Sequence, residues 1–148
     1  GRVVRLVPGT GRSPVLADDV LMVPGDAARA GVRVAAYLKT RARDRLAQAS
    51  DHYAQRIERR YRTLTLRDTR SRWGSCTAEA GLMYSWRLIM APPLVLDYVA
   101  AHEVAHLAEM NHSDRFWAIV ADLMPDYARH RRWLKTEGHA LHSYRFSE

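Results

Sequence analysis

Apolar residues recur along this chain in two rhythms, and the switches between them mark its elements. Val3, Val4, Leu6 and Val7, then Val15, Leu16, Val20, Leu21, Met22 and Val23, form short runs broken by Pro8-Gly9-Thr10-Gly11 and Pro24-Gly25. That pattern predicts two or three strands over 1–25. From Asp26, a candidate N-cap, to Arg62 the rhythm lengthens: Val34, Leu38, Ala42, Leu46, Ala49, Tyr53 and Ile57 recur at three- and four-residue steps, the spacing of one helix face. Thr63 to Arg70 alternates Leu64 and Leu66 with Thr65, Arg67 and Thr69, which reads as a strand. Ser71-Arg72-Trp73-Gly74-Ser75 reads as a turn, and Leu82 to Ile89 as another strand, ended by Pro92-Pro93. Pro93 suits the first turn of a helix continuing to about Met110. Ser113 is placed to cap a further helix that Pro125 stops, and a last helix starts near Asp126 and leaves through a left-handed Gly138. Tyr144 and Phe146 belong to a docked or frayed tail. The divisions are 1–25 strands, 26–62 helix, 63–92 strands and 93–140 helices, within one domain spanning 1–148.

Composition narrows the class. A chain of 148 residues that is 47% apolar fits a single core. Its most hydrophobic region, Leu88 to Leu107, is interrupted by Asp97, His102, Glu103 and His106, so no membrane span is expected. Gly1 to Gly9 lack the pattern of a secretory signal. Cys76 is the single cysteine and has no disulfide partner within the chain, which makes a reducing, cytoplasmic setting the default. The formal charge of +7 invites weak electrostatic contact with nucleic acid. Much of that charge lies on the helix at 26–62, which holds ten Lys or Arg against four acids. A monomer is the default.

The chemistry concentrates in His102-Glu103-Val104-Ala105-His106, an H-E-x-x-H segment. In a chain of this composition a chance occurrence has odds of about one in a hundred. On a helix the two imidazoles project from one face about a turn apart and can grip one cation, with Glu103 beside it to take a proton from water. Leu96, Ala100, Val104 and Leu107 form the stripe that would bury this helix.

A catalytic zinc needs a third protein ligand and an open fourth position. His112 lies ten residues past His102, about 15 Å along a straight helix. It can serve only if the chain turns back after about Met110, and Asn111 is placed to make a left-handed turn. Glu109, His130, Asp122 and Glu137 compete for the role. The spacing is also that of the metzincin signature, but Glu109 stands where that pattern has Gly.

Arg72-Trp73-Gly74-Ser75-Cys76, Trp86-Arg87-Leu88, Ala91-Pro92-Pro93, Asp97-Tyr98-Val99, the H-E-x-x-H segment with Leu107, Met110-Asn111-His112-Ser113, Phe116-Trp117 and Pro125-Asp126-Tyr127 stand together. From about Arg62 to His139 the chain resembles the YgjP-like metallopeptidase family, a zincin group similar to SprT-like and WLM proteases. The resemblance implies an α+β zincin: a small twisted sheet beside a long N-terminal helix, an active-site helix and a helical C-terminal part. It implies zinc held by His102, His106 and His112, with Glu103 as general base acting on a peptide or protein substrate.

Arg72, Trp73 and Gly74 are expected to line the cleft beside the strand from Thr63 to Arg70, where an edge could pair with an extended peptide. Tyr84, Arg72 and His139 are candidate oxyanion donors. Cys76 reads as a small packed side chain, with an inhibitory fourth ligand as the alternative. Trp86, Phe116, Trp117, Tyr127 and Trp133 read as packing. Two rival functions keep the metal: hydrolysis of nucleoside triphosphates, against which no Gly-rich phosphate loop is present, and a DNA-associated module with structural zinc, against which Glu103 stands beside the histidines.

Overall fold

The computed structural model describes the backbone of strands β1 (Arg5–Gly9), β2 (Val15–Ala17) and β3 (Val20–Pro24) and residues 29–143. The expected cap Asp26 and the tail residues Tyr144 and Phe146 lie outside the described residues. The architecture is α+β. β3 is central in a first mixed sheet, parallel to β1 and antiparallel to β2. The second sheet repeats that plan: β6 (Gly81–Ser85) runs parallel to β4 (Thr63–Arg67) and antiparallel to β5 (Gly74–Cys76).

Helix α1 (Ala30–Arg56) buries Val34, Ala42, Leu46, Ala49 and Tyr53, the face its periodicity marks. It stops short of Arg62. Glu58 takes a left-handed conformation at φ 55°, while the amide of Arg59 donates to the Ala54 carbonyl and that of Glu58 to Gln55. This is a Schellman closure with Glu where Gly is usual, and its hydrogen bonds satisfy the last carbonyls of the helix.

β4 alternates as expected, with Leu64 and Leu66 turned inward, but ends at Arg67. The segment read as a turn over 71–75 runs into β5, which is too short to show a period. β6 ends at Ser85, where the Ser85 hydroxyl accepts from the Arg87 amide and opens a 3-10 segment, Trp86–Met90, in place of the expected strand to Ile89. That turn carries Arg87 inward. Its guanidinium, 6% exposed, donates to both carboxylate oxygens of Asp68 at 2.8 and 3.3 Å and to the Leu141 carbonyl at 2.9 Å.

Helix α2 (Pro93–Ala105) begins on Pro93 as expected and ends before Met110. It is buried nearly all round, through Val95, Leu96, Tyr98, Val99, Ala100, Ala101, Val104 and Ala105, as an apolar helix at the centre of a domain must be. α1 packs on one side of it, and Arg45 reaches across to Asp97 at 2.7 Å. β5, α3 (Asp114–Leu123) and α4 (Tyr127–Glu137) also pack against it. α3 starts as the sequence indicates, with the Ser113 hydroxyl accepting from the Phe116 amide at 3.3 Å.

Gly138 is not a left-handed exit. Its φ is −60°, and the chain continues through it into a second 3-10 segment, Gly138–Ser143. A Cβ there would come within 3.1 Å of the Trp73 ring, so a close approach requires this glycine. None of the described helices is long and apolar enough to cross a membrane.

The hydrogen bonds from Arg87 hold the Asp68 carboxyl below its ordinary range. A depressed folded-state value means the pair stabilises fully above about pH 4, the unfolded carboxyl value, and less as pH falls through the folded one. Asp68→Asn should therefore cost about 1–2 kcal/mol at pH 7, less than a fully buried pair because Asp68 is half exposed. Denaturant titrations should show that gap from the parent closing as pH falls towards 3.

Candidate metal centre

His102, Glu103 and His106 lie at the end of α2, with His106 as the C-cap residue. Beyond it the backbone tightens: the amides of His106, Leu107 and Ala108 donate to the carbonyls three residues back, Glu103, Val104 and Ala105. This turn reverses the chain without a left-handed residue, since among the described residues Glu58 and Ala80 are the non-glycine ones with positive φ and Asn111 is not among them. His106 Nδ1 lies 3.0 Å from the Glu109 carbonyl, which only accepts, so Nδ1 carries the proton and Nε2 keeps its lone pair.

The reversal brings His112 back to the helix end. Its Nε2 is 3.1 Å from His106 Nε2 and 3.3 Å from His102 Nε2. A tetrahedral ion with nitrogen ligands at about 2.0–2.1 Å holds them about 3.3–3.4 Å apart, so three converging Nε2 atoms fit such an ion. Burial, with help from His106 and His112, pushes the His102 imidazole down to about 3, and burial also lowers His106. These two rings are therefore neutral near pH 7 and suited to ligate a cation. Glu109 contributes its carbonyl rather than its carboxylate. His130 faces Asp126 at 3.3 Å, Asp122 lies 3.8 Å from Arg56, and none of these joins the histidine group.

Aromatic rings fix the imidazoles. Phe116, delivered by the Ser113 cap, stacks on His106 with centroids 4.4 Å apart and meets His102 edge-on at 4.9 Å. Trp117 stacks on His112 at 6.0 Å and on Tyr127 at 5.4 Å. Tyr98, one turn before His102, places its hydroxyl 3.3 Å from His102 Nδ1. The sequence marked Phe116 and Trp117 as packing, which they are, but gave no sign that they pack on the histidines.

Glu103 is 6% exposed, and among the described residues no group hydrogen-bonds its carboxylate. Burial pushes this carboxyl up to about 8, with the charge of Arg72 opposing. Gly74 of β5 lies directly against it: a Cβ would stand 2.9 Å from Glu103 Cγ and 3.1 Å from the Met83 carbonyl. The neighbouring cleft, about 340 Å³, is lined by Trp73 and Gly74, by Tyr98, Val99, His102 and Glu103 of α2, and by Arg131, Leu134 and Lys135 of α4.

The remaining expected residues fall in different places. Arg72 is exposed outside that lining, and the ring stacked on Trp73 is His142, with centroids 4.6 Å apart. The strand beside the cleft is β5, whereas β4 lies at the opposite edge of the sheet. Tyr84 is fully buried and its hydroxyl is 2.9 Å from Ser50 Oγ, so it packs in the core and cannot meet a substrate. Cys76 is half-buried outside the histidine group, its thiol pushed up to about 11 by burial and then by Glu103. His139 is exposed and does not line the cleft. Sequence reasoning missed Tyr98, Arg131, Leu134 and Lys135. The i, i+4 step from Tyr98 to His102 could have signalled the first, but the α4 residues count only once that helix packs on α2.

The sequence profile described as YgjP-like, metallopeptidase domain matches residues 13–137. Among solved structures, the metallopeptidase zymogen of Pyrococcus abyssi abylysin superposes with a TM-score of 0.55 at 16% identity, covering 62% of this chain and 95% of that one. That likeness is one of fold. The search of curated proteins found no match.

Gly74→Ala is expected to cost about 1–3 kcal/mol, because neither the buried Glu103 stem nor the Met83 backbone can yield cheaply. An unchanged denaturation midpoint would show that the carboxyl is not seated against β5.

Proposed function

The chain belongs to the YgjP-like metallopeptidase family, and on that premise we propose a zinc peptidase in which His102, His106 and His112 hold the metal and Glu103 is the general base. The observation that carries this reading is the convergence of three imidazole Nε2 atoms beside a buried carboxylate. Neutral imidazoles suit zinc better than magnesium or calcium, which prefer oxygen ligands. When bound, zinc would polarise the scissile carbonyl and make water acidic enough to be activated near neutral pH.

Glu103 takes the proton of the attacking water and returns it to the departing amine. Burial alone holds its carboxyl too high to be fully ionised at pH 7. A neighbouring cation and Arg72 draw it down again, towards the value a general base needs. Phe116 and Trp117 keep the imidazoles from swinging, and the Glu109 carbonyl keeps the His106 lone pair on Nε2.

β5 supplies the docking edge. In its antiparallel pairing with β6, Trp73 accepts from the Ser85 amide and the Thr77 amide donates to Gly81. By the alternation of such a ladder, the main-chain groups of Gly74 and Cys76 point to the outer edge. An extended peptide adding there as a further strand passes over Glu103, which Gly74 touches. Against a structural zinc, the buried Glu103 stands beside a group of only three histidines among the described residues, which suits a catalytic site with an open position.

Glu103→Gln should lower peptide turnover by a factor on the order of 10²–10⁴ while metal analysis still finds zinc bound. His112→Ala should lose the zinc. Parental turnover in Glu103→Gln would refute the assignment of the base.

A further inference from the structure

We propose that the cleft selects peptides carrying an acidic side chain next to the scissile bond, and that Arg131 and Lys135 read it. This rests on the peptidase reading and names its substrate class. Arg131 and Lys135 are one turn apart on α4 and so share a face. Both line the cleft that holds His102 and Glu103.

Neither cation is ion-paired among the described residues. Asp126, the acid at the start of α4, is taken by Arg129 at 3.0 Å and His130 at 3.3 Å. Glu137 is exposed and does not line the cleft. Glu103 is the only carboxylate in the lining, and it is committed to the chemistry.

Arg131 is also held in place. Its guanidinium carbon lies 4.7 Å from the centroid of the Trp117 ring, which is itself stacked on Tyr127. A cation fixed this way has given up side-chain freedom before any ligand arrives, which lowers the cost of binding one.

A metal cation on the three histidines, with Arg131 and Lys135 beside it, leaves the cleft with excess positive charge. A carboxylate on the substrate offsets that charge, whereas a basic side chain adds to it. Trp73 and Leu134 line the same space and supply apolar surface for the stem of a Glu side chain. A peptide fits better than a nucleic acid because the cations sit beside a small cleft next to the β5 edge, not along an extended groove.

The test uses the zinc-loaded Glu103→Gln protein and fluorescent extended peptides that differ in one residue, Glu, Gln or Lys, at successive positions. Anisotropy should show the Glu peptide binding about tenfold more tightly than its Gln counterpart at one position, and Lys binding weakest. Lys135→Glu, an exposed change that leaves the Trp117 stack intact, should abolish the Glu preference with zinc content unchanged. Arg131→Glu should turn it towards Lys.

Equal binding of the three peptides, no binding of any, or a Glu preference that survives both reversals would overturn the proposal. So would a single-stranded oligonucleotide of matched charge that binds the cleft more tightly and depends on Lys135. Wild-type cleavage assays separate the two readings. Selective binding without cleavage of any peptide would defeat the peptidase reading and support the selectivity, while cleavage indifferent to acidic residues would defeat the selectivity alone.

Discussion

The tight reversal between His106 and His112 is the constraint on which the site depends. Continued as a helix, the chain would leave His112 about 15 Å from His102, whereas their Nε2 atoms lie 3.3 Å apart. The turn closes because three successive amides after Ala105 shorten their hydrogen bonds by one residue, and because the Glu109 carbonyl meets the His106 ring. That one contact both closes the loop and sets which nitrogen of His106 faces the cluster. Immediately after His112 the Ser113 cap starts α3, and Phe116 returns from it to pack on the same rings. Backbone economy and ligand chemistry are thus served by the same few residues.

The setting is a low-dielectric one, and its charges are arranged accordingly. α2 is enclosed by α1, β5, α3 and α4, so the histidines project from a helix that cannot shift without disturbing the core. Neutral imidazoles tolerate that environment, while a carboxylate does not unless positive charge is near. Glu103 finds that charge in Arg72 and in any cation on the histidines, and β5 is pressed close enough that only glycine fits at position 74. The basic character of the chain therefore has two parts. The exposed cations of α1, such as Lys39, Arg41 and Arg43, are away from the cleft, and Arg131 and Lys135 border it.

Features fixed by neighbours in sequence were legible in it. The seam of α1, Pro93 opening α2 and the Ser113 cap all follow from spacing and local hydrogen bonding, and the two helical histidines follow from the same geometry. Features fixed by distant contacts were not. Gly138 looks like a helix terminator, but its requirement is the Trp73 ring, more than sixty residues earlier. Asn111 looks like the turning residue, yet the backbone reverses through tightened helical bonds. By its sequence Tyr84 reads as a candidate oxyanion donor and Phe116 as packing. Only packing tells that one pairs with Ser50 in the interior while the other supports the metal cluster. Strand β5 escaped notice because three residues starting with glycine carry no period, though it places Gly74 against Glu103.

The account turns on three imidazole Nε2 atoms holding one ion with a position left open. X-ray absorption at the zinc edge of the loaded protein measures this directly. It should show three imidazole nitrogens at about 2.0–2.1 Å and one oxygen ligand from solvent. A sulfur at about 2.3 Å, which could come only from Cys76 or a methionine, or a shell closed by a fourth protein ligand, would contradict the account.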